Sequence, residues 1–284
     1  MFALGLASAI TASLLFNGGI VLQALDARVA PRALGLRLGL LTRLLHRPRW
    51  VIGFLLGVIG VGPQIVAYAD APFVVVQPAL CVGLLLTLAL AERVLRERVT
   101  VREVAGVLAI IGGVALVAWG APAHSDTHRS GIAIVAVVGA LSAAGLAPFF
   151  LRGSRLNTGM LVIVAAGCGF GATNVAAKLV GDDFNVGHYG NAALWGIVGL
   201  AMGVAATLTN MTAFQLRAAT TVVPVSTAVQ TFLPIVFEPL FLRERWGSAI
   251  FDGVPIIAGL LLALLGSVLI AGSPAVSELI AGAS

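Results

Sequence analysis

Long apolar runs, separated by short polar or Pro/Gly breaks, follow one another along the 284-residue chain. A helix that crosses a bilayer needs roughly 20 predominantly apolar residues. The runs therefore predict nine spanning helices, at about 3–25, 50–69, 72–91, 103–120, 131–151, 159–180, 191–214, 220–242 and 250–272. The pattern shows no soluble domain and no low-complexity linker between them.

One segment, residues 26–49, departs from this pattern because it carries six arginines among leucines. Arg37 and Arg43 lie six residues apart, so at about 100° per residue they do not form one tight stripe. An arginine at the centre of a bilayer costs about 2.5–3.5 kcal/mol on insertion scales. This cost predicts that residues 31–47 lie along the cytoplasmic surface as an amphipathic segment. A tenth, poor span is the alternative.

The arginines of the loops are unevenly divided between the two sides that nine spans define. Thirteen fall on one side and three on the other. Lysine and arginine concentrate in cytoplasmic loops of membrane proteins. The bias therefore predicts an integral membrane protein of the plasma membrane with its N-terminus outside and its C-terminus in the cytoplasm, if the chain has nine spans.

A weak internal repeat runs through the chain. The sequence Leu-Arg-Glu-Arg closes one apolar run at 95–98 and another at 242–245, and further matches occur at the same offset of 147 residues. The predicted orientation places the two copies on opposite sides of the membrane. We therefore predict an all-α polytopic membrane protein with two inverted repeats, 1–122 and 131–272, and a short C-terminal tail at 273–284. Transporters are often built from two such halves around a site between them.

The composition supports a membrane protein, with 59% hydrophobic and 10% charged residues. Soluble domains have about 25% charged residues. A net charge of +5 would suggest nucleic acid in a soluble protein, but here the arginines orient the chain in a lipid bilayer, and no nucleic-acid partner is predicted. The two cysteines lie inside apolar runs and form neither a disulfide framework nor a metal motif.

No catalytic motif is recognisable in the sequence. There is no nucleophile–base pair, no pair of catalytic carboxylates and no nucleotide-binding loop, so neither an enzyme nor a cofactor is predicted. His124 and His128 flank an aspartate in one predicted outer loop. Two histidines in a loop are a weak signal for a metal, and no metal site is predicted. The expected partners are the bilayer and a small-molecule or ion substrate; a homodimer stays open.

Charged side chains within the predicted spans are candidates for the transport route, because each is expensive in hydrocarbon. Lys178 either extends toward water and nearby aspartates or faces the substrate. Glu238 either pairs with a basic residue or couples transport to a proton or cation. Glu103 and Asp252 are expected at span edges, where water is close.

Neutral polar side chains within the spans complete the candidate set. They either form hydrogen bonds between helices or line a cavity. They are Asn17, Gln23, Gln64, Gln77, Asn174, Asn210 and Gln230. We call each Leu-Arg-Glu-Arg sequence a corner. Glu97 and Glu244 lie between the arginines of these two corners, and we expect each to form an ion pair or a helix-end contact.

Several motifs carry a resemblance to known families. Ala71-Pro72, the 75–78 sequence Val-Val-Gln-Pro, the 95–98 corner and Gly112-Gly113 resemble the EamA-like branch of the drug/metabolite transporter superfamily. In addition, Trp50, Gly60, the 67–72 sequence Ala-Tyr-Ala-Asp-Ala-Pro, the corner and the 119–122 sequence Trp-Gly-Ala-Pro are similar to NIPA-type magnesium transporters, usually drawn with nine spans. The 169–174 sequence followed by Lys178 resembles the helix that opens each repeat of the superfamily. The resemblance implies two inverted helical repeats with the substrate route between them.

The sequence favours a secondary transporter that moves a small metabolite or ion by alternating access. A magnesium transporter is an alternative within this class. Against it, Glu238 is the one acid expected in the span interiors, and Lys178 would repel a dication. An alternative from another class is a membrane structural or assembly subunit without transport. A cavity lined by polar residues of both repeats would favour transport.

Overall fold

The computed structural model describes residues 2–70, 76, 79–120, 131–152, 154, 158–185, 187–242 and 250–271. Within these residues the chain forms α-helices and short 3-10 turns, and it contains no strand. The helices are α1 (Phe2–Arg28), α2 (Leu38–Leu45), α3 (Pro48–Asp70), α4 (Gly83–Arg93), α5 (Val101–Gly120), α6 (Gly131–Phe150), α7 (Gly159–Asn185), α8 (Tyr189–Leu216), α9 (Ala219–Leu242) and α10 (Val254–Ala271). The predicted all-α class is therefore confirmed.

The number of helices that can cross a membrane is smaller than the number of apolar runs. Among the described residues, five helices are long and apolar enough: α1, α5, α7, α8 and α10. The number rises to six when α2 and α3 count as one bent span. Each of the nine predicted runs contains a described helix. The prediction of a polytopic membrane protein is thus confirmed, whereas nine spans stay a prediction.

Between α1 and α3, the arginine-rich segment forms a 3-10 turn at Arg32–Leu34 and one short α-helix, α2. α2 has eight residues, which rise about 12 Å, and a bilayer core is about 30 Å thick. The helix turns through 95° relative to α3. Leu40 and Leu44 are buried, while Arg37 and Arg43 are exposed. This geometry agrees with a segment that does not span; its place on the cytoplasmic surface stays a prediction.

A seam of glycines joins α5 to α10. A Cβ on Gly106 would lie 2.7 Å from the carbonyl oxygen of Gly266, and a Cβ on Gly113 would lie 2.6 Å from that of Gly259. The contact positions advance along α5 as they recede along α10, so the two helices are antiparallel. Small residues permit such a close approach of backbones in membranes.

The other main helix pairs repeat within the chain. α1 packs on α3, where Gly19 faces Gly53, and α7 packs on α8, where Gly169 faces Ala206. α5 and α10, which the sequence offset makes equivalent, pack on each other in opposite directions. Antiparallel packing of equivalent helices is what inverted repeats require. The repeat itself stays a prediction, because residues 243–245 of its second corner lie outside the described residues.

Candidate functional site at the junction of the two halves

The corner after α4 positions the first of the two repeated glutamates. α4 ends at Arg93, and Arg96 adopts a left-handed conformation with φ +56°. The Glu97 N–H then turns back to donate to the carbonyl of Ala91, at 3.1 Å. A non-glycine residue in this conformation costs about 1 kcal/mol or more and persists where the surrounding contacts hold it. The turn directs Glu97 away from its own helix.

Glu97 joins three helix ends. Its carboxylate forms an ion pair with Arg28 at the end of α1. It also accepts the N–H groups of Ala219, at 2.7 Å, and Thr220, at 2.9 Å, at the start of α9. The first N–H groups of a helix have no partner within it and favour negative charge. The predicted ion pair or helix-end contact is therefore confirmed for Glu97, which makes both; Glu244 lies outside the described residues.

The Glu97 side chain is 8% exposed and that of Arg28 25% exposed. The pair is thus shielded from water on the carboxylate side, where the two backbone N–H groups also bind. A charge-assisted hydrogen bond in such surroundings is stronger than one between neutral groups. Because α1 and α4 belong to the first predicted repeat and α9 to the second, this carboxylate connects the two predicted repeats. We call this set of contacts the Glu97 junction.

The segment between α1 and α2 makes a second contact between the two predicted repeats. The Leu36 N–H donates to the Thr212 hydroxyl of α8, at 2.9 Å. Gln215 Nε2 of the same helix donates to the Ala30 carbonyl, at 3.2 Å. Leu36 also has a positive φ, of 56°. These bonds fix the segment against the C-terminal end of α8. The next helix, α9, begins at Ala219, which belongs to the Glu97 junction.

Two further buried acids serve helix starts. Asp26, 7% exposed, accepts the Trp50 N–H at 3.0 Å and so caps α3. Glu103 is fully buried; its Oε2 accepts the Thr100 N–H at 2.7 Å, while its Oε1 has no hydrogen-bond partner. The expectation that Glu103 lies close to water is wrong. Gly106, one turn further along α5, is so near α10 that neighbouring side chains cover this turn.

Asp26 was missed by sequence reasoning, because hydropathy places it simply at the end of the first run. The available signal was the Pro-Arg-Trp sequence at 48–50. Proline is favoured at the first position of a helix, and a helix start needs an acceptor for its N–H groups. Nothing local indicates that the acceptor is 24 residues upstream.

We expect Asp26→Asn to lower the stability of the purified protein by about 1–2 kcal/mol, because a negative charge near a partly buried helix start contributes up to about 2 kcal/mol. The substitution preserves the shape but removes the charge that favours the start of α3. Thermal unfolding in detergent measures the effect. Asp70→Asn, the same change at the last residue of α3, is the matched control and should be neutral, because a helix C-terminus does not favour an acid. Equal unfolding temperatures of the two variants would contradict a capping role for Asp26.

Asn17 connects two helices of the first half. Its Oδ1 accepts the Thr87 hydroxyl of α4 at 2.7 Å, and its Nδ2 donates to the Ser13 carbonyl at 2.8 Å. The Ser13 hydroxyl in turn accepts the Gly83 N–H at 2.9 Å. The two bonds between the helices, Thr87 to Asn17 and Gly83 to Ser13, each join positions 70 residues apart. The helices α1 and α4 therefore run parallel. Asn17 thus forms the interhelical hydrogen bond that was one of its two predicted roles.

The remaining neutral candidates are dispersed over the described helices. Gln23 is buried against Gly53, whereas Asn174 is exposed. Gln64 and Gln230 are half-buried. Asn210 is 3% exposed, and its Oδ1 has no hydrogen-bond partner. Their part in a transport route stays a prediction.

Three of the predicted site residues fall partly or wholly outside the description. Gln77 lies outside the described residues. The backbone of α7 carries Lys178 and that of α9 carries Glu238, but their side chains are not described. The loop with His124 and His128 also lies outside. Within the described part of the chain, no group of three or more His, Cys, Asp or Glu residues could hold a metal ion.

Comparison with known proteins identifies the family. A family model described as "Magnesium transporter NIPA" matches residues 1–174, which include the Glu97 corner, Arg28 and Asp26. No curated protein and no solved structure matched the chain. The matched range ends within α7 and covers more than half of the 284 residues. The resemblance read from the sequence is therefore confirmed, and the chain belongs to the NIPA magnesium transporter family of membrane proteins.

Proposed function

We propose that the protein moves Mg²⁺ or a similar divalent cation across the membrane by alternating access, along a route between its two halves. The family supports the choice of substrate, because it is named for magnesium transport. The observation that carries the mechanism is the Glu97 junction. It joins α1 and α4 to α9 by an ion pair and hydrogen bonds, at one end of these helices.

The two kinds of contact between the halves differ in how easily they separate. Water can replace the polar partners of the Glu97 junction, so its opening costs far less than the gross strength of its bonds. The glycine seam of α5 and α10 has backbones in direct contact, and its separation would leave voids. The seam is therefore the axis in this proposal, and the junction is a gate that is closed in this structure.

The helix order is consistent with inverted halves. The proposal pairs α1 with α7, α3 with α8, α4 with α9 and α5 with α10. α6 is the additional helix between the two sets. If every member spans the bilayer, one additional span after four reverses the direction of the second set. Rocking of such halves exposes a central site to each side in turn.

The ligands of a magnesium ion can be few. Mg²⁺ retains several waters and is usually held through one or two carboxylates. Glu238 on α9 meets that need in this proposal, with the retained waters as the other ligands. The absence of a larger ligand cluster among the described residues therefore agrees with transport of a hydrated ion.

Lys178 on α7 supports a second candidate, transport of a small anionic or neutral metabolite. A fixed positive charge on the route would repel a dication and attract an anion. The two candidates make opposite predictions for this residue.

Magnesium uptake into proteoliposomes, followed with an entrapped Mg²⁺-sensitive dye, tests the proposal. We expect uptake by the wild type and none by Glu238→Gln, because the amide lacks the charge that binds the ion. Lys178→Met should maintain or increase uptake. Arg43→Gln, an exposed arginine of α2, is the control and should leave uptake unchanged.

Two results would contradict the magnesium assignment. The first is a wild-type protein that inserts normally but shows no uptake. The second is loss of uptake in Lys178→Met with normal uptake in Glu238→Gln, which would make the lysine the substrate-binding charge and favour the metabolite.

A further inference from the structure

A groove of about 470 Å³ lies between the segment that precedes α2, the end of α6 and the middle of α8. Its walls are largely apolar and include Leu38, Phe149, Val204 and Leu208. Two basic residues, Arg37 and Arg152, also line it. The groove is thus an apolar slot with two positive charges. One of them, Arg37, belongs to the arginine-rich segment that the sequence predicts at the membrane surface.

Both arginines are exposed, and neither forms an ion pair with an acid among the described residues. The Arg152 guanidinium lies 5.4 Å from the centroid of the Phe149 ring, a distance typical of a cation–π contact. Arg37 follows Leu36, whose N–H is fixed to Thr212 of α8. The anchored backbone at Leu36 and the contact with Phe149 thus restrain two positive charges that the described residues leave uncompensated.

The apolar walls continue into a surface suited to lipid. Leu38 is 67% exposed, and Phe150 at the end of α6 is 83% exposed. On α8, Leu200 and Val204 are also exposed. In a bilayer this surface faces acyl chains, so a chain can enter the groove without crossing water. A soluble anion would satisfy the arginines but leave the apolar walls uncovered.

We propose that the groove binds one anionic phospholipid. Its phosphate pairs with Arg37 and Arg152, and one acyl chain covers the apolar walls. Guanidinium groups bind phosphate oxygens through paired hydrogen bonds. Basic pockets between membrane helices are suited to anionic headgroups. The site does not depend on the transported substrate. Because Leu36 is bonded to Thr212, a bound lipid would strengthen the contact between the segment and α8.

Thermal unfolding of the full-length protein in detergent, with added phosphatidylglycerol or phosphatidylcholine, tests the proposal. We expect phosphatidylglycerol to raise the Tm of the wild type by about 5 °C relative to phosphatidylcholine, the shift that near-saturating binding gives to a protein of this size. The double variant Arg37→Gln/Arg152→Gln should lose this difference. Ala201→Trp should also reduce it, because the indole fills the groove and leaves both charges in place.

The matched control is Arg43→Gln/Arg47→Gln. It removes the same total charge, in this case from two exposed arginines of the arginine-rich segment that do not line the groove. It should keep the full effect of phosphatidylglycerol. Equal loss in both double variants would show general attraction to an anionic surface and overturn the proposal. An equal shift with inorganic phosphate alone would show a simple anion site, and no difference between the two lipids in the wild type would show that there is no such site.

Discussion

Replacing Gly113 by alanine should destabilise the protein by about 1–3 kcal/mol, the range of overpacked cores, and we expect the upper end. The new methyl group would lie 2.6 Å from the carbonyl oxygen of Gly259 and 3.0 Å from the backbone nitrogen of Ala263. These are backbone atoms, so no side-chain rotation relieves the clash, and α10 has to move as a whole. Thermal unfolding in detergent and the yield of folded protein measure the effect.

Gly112→Ala is the matched control in the adjacent position. Its methyl group would meet only the Cδ2 atom of Leu262, at 3.3 Å, which is the end of a flexible side chain. Alanine is favoured over glycine in a helix interior by about 1 kcal/mol. This variant should therefore be as stable as the wild type or slightly more so. If Gly113→Ala and Gly112→Ala unfold at the same temperature, α5 and α10 do not pack through the glycine seam.

The helices could be predicted from the sequence, whereas the contacts between them could not. Apolar runs report which segments avoid water, and each run contains a described helix. The energetic cost of Arg37 and Arg43 in lipid was enough to separate α2 from the spans. Hydropathy gives no information on rotation about a helix axis. It therefore did not show that Gly113, rather than Gly112, faces the backbone of α10.

In the candidate site, too, the sequence could indicate some residues but not the contacts that they make. The sequence directed attention to charges in the middle of apolar runs, because depth in the bilayer can be estimated from position. The buried acids that the structure describes lie at helix ends instead: Asp26, Glu97 and Glu103. Their burial depends on neighbours that are distant in sequence. The Glu97 partners Arg28 and Ala219 are 69 and 122 residues away, and no local pattern indicates such pairs.

Glu97→Ala should open the end of the molecule that the Glu97 junction closes. The change leaves Arg28 without its partner and the N–H groups of Ala219 and Thr220 without an acceptor. Breaking a buried ion pair costs about 3–5 kcal/mol. We expect about 2 kcal/mol for this junction, because a quarter of the Arg28 side chain is exposed. That free energy would shift an equilibrium between closed and open forms by about 30-fold.

Maleimide labelling of single cysteines measures the opening. The background replaces the two native cysteines, both buried, by alanine. Thr221→Cys reports on the start of α9, where Thr221 is 1% exposed. Glu97→Ala should increase its labelling rate by about 30-fold. Glu92→Ala, which removes an exposed acid from the end of α4, is the control and should leave the rate unchanged.

A second reporter separates a gate from general loss of structure. Ile110→Cys lies in α5, the helix of the glycine seam, at a position that is fully buried. If the junction is a gate, Glu97→Ala exposes position 221 while position 110 stays protected, because the seam remains packed. Equal exposure of both positions would make Glu97 a residue of overall stability. Protection of both would mean that other contacts, such as those of Leu36 with Thr212, hold this end closed without it. Only the first outcome is compatible with alternating access through the Glu97 junction.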